Sequence, residues 1–193
     1  MNSKYQLIGI SGTNGSGKDT VADIIVKTFN FKFISVSQLL RDEAIKRTLS
    51  ADRSNTRLIS SEWREKYGPS VLVDRAIAEF DQLKSNFNGL IISSIRNSGE
   101  VEKIHQLKGV VIWIDANPRF RFDRIQSNLM IRSRPEDDKI SFEKFLDDER
   151  TEMYLSATNT TLDMNNVKQQ ADFNIINESS IDQLKSELLQ ILN

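Results

Sequence analysis

The segment Gly12-Thr13-Asn14-Gly15-Ser16-Gly17-Lys18-Asp19-Thr20 constrains this chain more than any other, because of what flanks it. An apolar run from Tyr5 to Ile10 leads in, and Val21, Ile24, Ile25 and Phe29 follow at helical spacing. A strand feeding a glycine loop that opens straight into a helix is the arrangement that wraps backbone N–H groups around a phosphate. Glycines at 12, 15 and 17 allow positive φ, and the helix N-terminus adds its partial positive charge. Lys18 would reach the outer phosphates as a point charge, and a nearby hydroxyl would help hold Mg²⁺. The loop thus predicts a nucleotide site in which Gly12, Thr13, Asn14, Gly15, Ser16, Gly17, Lys18, Asp19 and Thr20 hold ATP, with Thr20 as a metal ligand.

Four further apolar runs have strand length: Phe31 to Val36, Leu90 to Ile95, Val110 to Ile114 and Phe173 to Ile176. Continuous rather than alternating apolar character predicts strands covered on both faces, and helical spacing between them predicts an α/β domain with a parallel sheet. Gly68-Pro69 should end one helix and begin another. Ser180 and Gln183 form a candidate capping box for the last helix. Neither a repeat nor a Pro/Gly-rich linker interrupts the 193 residues, so residues 1–193 are expected to form one domain. The least regular stretch, Leu129 to Lys139, is a candidate mobile loop within residues 127–140.

Composition excludes several classes. With 26 Lys+Arg against 27 Asp+Glu, the net charge of -1 offers no field for bulk nucleic-acid binding. Zero Cys removes thiol chemistry. The longest run free of Asp, Glu, Lys and Arg is Tyr5 to Gly17, far short of the roughly 20 residues a bilayer span needs. A cytoplasmic protein without membrane partners is the expectation.

Within that neutral total the arginines fall at suggestive places. From Asn117 to Arg134 there are five, Arg119, Arg121, Arg124, Arg132 and Arg134, with Asp123 the one acid. Transfer of a phosphoryl group needs several Arg brought together to neutralise phosphate charge. The segment Ile34-Ser35-Val36-Ser37-Gln38-Leu39-Leu40-Arg41 resembles that of adenylate kinases whose Arg grips the acceptor phosphate. Arg96, after the third strand, stands where monophosphate kinases place a second such Arg, at the strand edge where open parallel sheets bind ligands. The sequence Arg132-Ser133-Arg134-Pro135, followed by a helix bearing Arg150, resembles the short lid of UMP/CMP-type kinases.

The displaced hydroxyl of the loop, Thr20 rather than a residue directly after Lys18, is also typical of nucleoside monophosphate kinases. Nearly end to end, the chain resembles P-loop kinases of the nucleoside/deoxynucleoside monophosphate kinase and dephospho-CoA kinase group. The resemblance implies a three-layer fold with a five-stranded parallel sheet in the order 2-3-1-4-5 and a short lid. It also implies ATP- and Mg²⁺-dependent transfer of the γ-phosphoryl group to a nucleoside or deoxynucleoside monophosphate. Arg96, Arg124, Arg132, Arg134 and Arg150 would act with Lys18 in transfer, and Ser37, Arg41, Arg64 and Arg96 would bind the acceptor. Asn177, in the turn after the fifth strand, is a base-contact candidate and equally a turn former.

One departure stands out: relatives usually carry an Asp at the end of strand three, and this chain has Ser93. Asp115, which the implied order puts beside the loop, could substitute, so the metal candidates are Thr20, Ser93 and Asp115. Phosphorylation of dephospho-CoA, a hydroxyl acceptor, would need a base and is disfavoured without that Asp. A regulatory nucleotide-binding module with little turnover is the reading from another class. Trp63 and Tyr67 could stack an acceptor base or pack the core, and His105 reads as an exposed helix residue.

Overall fold

The five apolar runs form one parallel sheet: β1 (Leu7–Gly12), β2 (Phe31–Ser35), β3 (Gly89–Ser93), β4 (Val110–Asp115) and β5 (Phe173–Ile176), in the spatial order β2-β3-β1-β4-β5. The computed structural model describes residues 3–128, 139–154 and 162–193. Register is set by pairs such as Ile8 with Ile91 and with Val110, which align the carboxyl ends of β1, β3 and β4. The expected lid, with Arg132 and Arg134, falls almost wholly outside the described residues.

Alternate residues of each strand feed two separate cores. Ile8, Ile10, Ile91, Ile112 and Ile114 pack against α1 (Lys18–Phe29) and the C-terminal helix, here α9 (Ile181–Leu192). Leu90, Ile92, Val111 and Trp113 face the other way, toward α2 (Val36–Lys46), α3 (Arg53–Tyr67), α4 (Val71–Asp81), α5 (Ser98–Gln106) and α8 (Met164–Gln170). Those five isoleucines are fully buried, and each contributes about 1.5–3 kcal/mol relative to an exposed side chain. A sheet dry on both faces explains why its strands read as continuous apolar runs.

Local chemistry sets the helix ends. Gly68 (φ 96) follows Tyr67 and ends α3, and α4 starts at Val71, as Gly68-Pro69 predicts. Pro118 opens α6 (Pro118–Ser127) at a position whose N–H has no helical partner in any case. The Ser180/Gln183 capping box is formed, and a second one, Asn97 with Glu100, starts α5. Helix α7 (Phe142–Tyr154) is pinned to α6 by Phe122, Phe142 and Phe145, whose ring centroids lie 5.3–6.3 Å apart. This contact brings α7 across the carboxyl ends of the strands.

Candidate active site

The glycine loop rises from β1 and lies directly on β4. Gly12 has φ 138, and a Cβ there would stand 2.0 Å from the Ile114 carbonyl oxygen, so any side chain would lift the loop off the sheet. Gly17 caps α1 with φ 92, and a Cβ there would meet the Asn177 amide at 2.3 Å. Between them, Ser16 Oγ donates to the Thr13 carbonyl at 2.8 Å. Lys18 folds back over the loop, with its Nζ donating to the carbonyls of Gly12 (2.9 Å) and Thr13 (2.6 Å). Burial first, and then the positive charge of Arg96, push the Lys18 ammonium down to about 7. Arg96 is thus close enough for its charge to be felt at the head of the loop lysine. Asp19 and Thr20 are exposed on the first turn of α1.

Arg96 arrives through an unusual turn. The strand β3 ends at Ser93 because Ser94 takes φ 73, a left-handed conformation rare for a residue with a Cβ. The N–H groups of Ser94 and Ile95 both donate to the Ile10 carbonyl, at 2.9 and 3.2 Å, which ties the turn to β1. Glu100 then fixes the next two residues: its Oε2 accepts from the N–H of Arg96 at 2.7 Å and of Asn97 at 3.2 Å. Its Oε1 accepts from Arg64 Nη2 at 2.7 Å, with both side chains almost completely buried.

Beside the loop, between α2, α3 and the end of β3, lies a cleft of about 670 Å³, open to solvent. Arg41, Arg53, Arg57, Arg64 and Arg96 line it, and among the described residues Glu152 is its one carboxylate. Its apolar wall is Val36, Leu40 and Leu72, and Ser37 sits at its rim one helical turn before Arg41. Burial lowers the pKa of Arg41, as it does for any cation moved away from water. The guanidinium groups of the cleft match anionic oxygens.

Helix α7 carries two carboxylates over this region, three residues apart. Glu149 forms a bidentate pair with Arg121, whose Nη2–Oε1 distance is 2.9 Å and whose Nη1 also contacts Oε2. Arg121 is buried and also donates to the carbonyls of Ala116 (2.6 Å) and Asn14 (3.2 Å), so it clamps the loop from α6. Glu152 reaches the cleft: Oε1 accepts from Arg57 Nη2 at 2.7 Å and Oε2 from Arg96 Nη1 at 3.3 Å. Burial would raise the Glu152 pKa, but Arg96, Arg57 and Arg53 together overcome it and hold the carboxyl at about 2.

Several expectations need correction. Arg150 is exposed and pairs with Asp147 at 3.4 Å, because it lies on the solvent side of α7, opposite the face that carries Phe145 inward. Arg64 lines the cleft, but its Nη2 is committed to Glu100 and its Nη1 to Ser60 Oγ at 3.2 Å, so it supports Arg96 from below. Asn177 is buried and donates from Nδ2 to the Ser16 carbonyl at 2.8 Å, bracing the loop rather than facing a base. Arg124 donates to the Asn177 carbonyl at 2.9 Å, which places it behind the loop. Trp63 is buried, with the Arg75 guanidinium 3.7 Å over its ring, and Tyr67 is exposed; no aromatic side chain among the described residues lines the cleft.

Asp115 stands beside the loop, but its oxygens are already used. Oδ1 accepts from Thr13 Oγ1 at 2.7 Å and the Ala116 N–H at 2.9 Å, and Lys168 and Arg121 lie 3.4 and 3.6 Å away. Burial works against ionisation, yet the Thr13 hydroxyl and its other partners keep the carboxyl below its ordinary range. Two neighbouring cations make it a poor direct ligand for Mg²⁺. The hydroxyls of Thr20 and of Ser93, at the end of β3, are hard oxygen donors that suit an ion arriving with most of its shell made of phosphate and water. Among the described residues no cluster of three or more acids or His could hold a metal alone.

Sequence reasoning missed Arg53, Arg57, Glu100, Glu149 and Glu152. The loop and sheet together define a P-loop NTPase domain with a kinase-like fold. A family model described as an AAA domain matches residues 8–153, and the chain belongs to that family of P-loop NTPase domains. It is 29% identical over 192 residues to UPF0200 protein MJ1399 of Methanocaldococcus jannaschii, covering 97% of this chain and 91% of that one. A UPF0200 protein of Hyperthermus butylicus is 25% identical over 188 residues, covering 97% and 93%. Among solved structures, TT1252 from Thermus thermophilus superposes with a TM-score of 0.56 at 21% identity, covering 96% of this chain and 95% of that one. Shikimate kinase from Bacteroides thetaiotaomicron gives 0.55 at 14% identity, covering 96% and 97%. These likenesses establish the sheet order and the layers of helices.

Proposed function

We propose that this protein is an ATP- and Mg²⁺-dependent phosphotransferase that moves the γ-phosphoryl group to a nucleoside or deoxynucleoside monophosphate. The observation that carries the reading is the cleft beside Lys18, which Arg41, Arg53, Arg57 and Arg96 line together with Glu152, while Arg64 is spent on Glu100. An acceptor phosphate is already ionised, so it needs positioning and charge neutralisation but no base. The cleft supplies those two things. In the ligand-free protein both oxygens of Glu152 are paired with Arg57 and Arg96 rather than open to take a proton from a hydroxyl acceptor such as that of dephospho-CoA.

In this reading the loop amides and Lys18 hold the donor phosphates, and Arg41 and Arg96 hold the acceptor. Arg121 and Arg124 keep the loop in shape from behind. Mg²⁺ would neutralise charge between the outer phosphates, with Thr20 and Ser93 as its protein contacts. A regulatory module with little turnover is the competing reading, favoured by one observation, the two cations beside Asp115.

The test is acceptor-dependent ADP formation from ATP and Mg²⁺ across nucleoside monophosphates, deoxynucleoside monophosphates and dephospho-CoA, with Lys18→Ala as control. Turnover with a monophosphate, abolished by Lys18→Ala, supports the kinase. Arg96→Ala should then raise the acceptor KM or lower kcat while ATP binding survives. Tight calorimetric ATP binding without stimulation by any acceptor would leave the regulatory module standing instead.

A further inference from the structure

Each oxygen of Glu152 takes a different arginine, Arg57 on α3 and Arg96 after β3. One planar anion bridging two guanidinium groups is the contact an acceptor phosphate would make with the same pair. The Glu152 side chain is only 15% exposed, and it reaches this position from α7, which the aromatic contacts with α6 hold over the cleft. We propose that Glu152 is an intramolecular stand-in for the acceptor anion, so that an acceptor binds by displacing this carboxylate from Arg57 and Arg96. The inference rests on the phosphate-acceptor reading above and adds the residue that an acceptor must displace.

The consequence is a charge threshold. A ligand that brings one negative charge exchanges one monoanion for another between the same two arginines and gains little. A dianionic phosphate monoester brings a second charge and a third oxygen, and Arg53 and Arg41 line the same cleft. Glu152 therefore weakens every anion that displaces it by the same factor, and only an anion held as strongly as a terminal phosphate monoester still binds appreciably. It also supplies a counter-charge to a group of buried or half-buried arginines that would otherwise repel one another.

Calorimetry on the full chain saturated with ADP and Mg²⁺, so that the loop is filled, tests this with inorganic phosphate as the dianionic probe and dimethyl phosphate as the monoanionic one. Glu152→Gln keeps the shape and removes the charge. It should bind phosphate at least tenfold more tightly than the native protein, about 1.4 kcal/mol, and should tighten dimethyl phosphate by a similar factor. Arg96→Ala should lose the phosphate site in either background. A role of Glu152 limited to orienting Arg96 predicts the opposite sign, weaker phosphate binding in Glu152→Gln. If phosphate binds the native protein through Arg96 but Glu152→Gln leaves its affinity unchanged or weaker, the stand-in is refuted and the acceptor site remains. If phosphate binds neither protein while ADP still does, the acceptor reading itself is overturned. Should Glu152→Gln fail to fold by circular dichroism, Glu152→Asp, whose shorter reach cannot span both arginines, is expected to tighten phosphate binding in the same direction.

Discussion

Lys18 donates to two loop carbonyls while Arg96 crowds it from the cleft, and burial and that crowding bring its pKa from 10.5 to about 7. Nucleotide phosphates favour the charged ammonium, so binding must raise this pKa. Between the free and bound values, binding takes up a proton, and affinity falls as the pH rises through about 7. Calorimetry at pH 8 in buffers of different ionisation enthalpy should show uptake approaching one proton per ATP, lost in Lys18→Met. In the ligand-free protein the sign is set by the same shift. From about 7 to 10.5 the unfolded chain binds more protons at this position, so its contribution to stability rises with pH there. The importance of Lys18 is legible in the sequence because it follows Gly17 by one position. The identity of its electrostatic neighbour is not, since Arg96 lies 78 positions away and arrives through a φ of 73 at Ser94 that no propensity would assign to serine.

At the scale of elements, α5 and α7 organise the site, and they differ in how much they announce. Asn97 and Glu100 are three apart before an apolar pattern, a readable capping signature. What pattern reading cannot supply is that Glu100 also receives Arg64 from α3, since that pairing is tertiary. Glu100→Ala would leave the Arg64 guanidinium buried and unpaired and free two backbone N–H groups under Arg96. It should cost about 3–5 kcal/mol in urea denaturation, and Arg64→Met combined with Glu100→Gln should recover a large part of that loss. Helix α7 hides its role because its inward face is acidic. Glu149 and Glu152 look like solvated charges beside Asp147 and Asp148, and only α6 packing reveals that they point toward arginines. Arg150 shows the same limit, since its charge is legible in the sequence but the helical phase that turns it to solvent is not.

For the whole molecule, the sheet was the most legible level. Parallel strands buried on both faces must be apolar throughout, so five such runs mark five strands, with ends displaced by no more than two residues. The five strands place the carboxyl ends of β1, β3 and β4 together, and every site residue lies in or against that edge. Composition hid this, because a net charge of -1 averages an arginine-rich cleft with acidic helices elsewhere.

The same sheet also divides the chain optically. Both tryptophans, Trp63 and Trp113, belong to the core that faces α2 to α5, and the core beneath α1 and α9 contains none. Tryptophan emission is consequently a one-sided reporter, blind to half the interior. Because every central strand contributes side chains to both halves, fluorescence and far-UV circular dichroism should trace one superimposable denaturation curve. Separation of the two curves would show that the reporter half melts independently of the dark half.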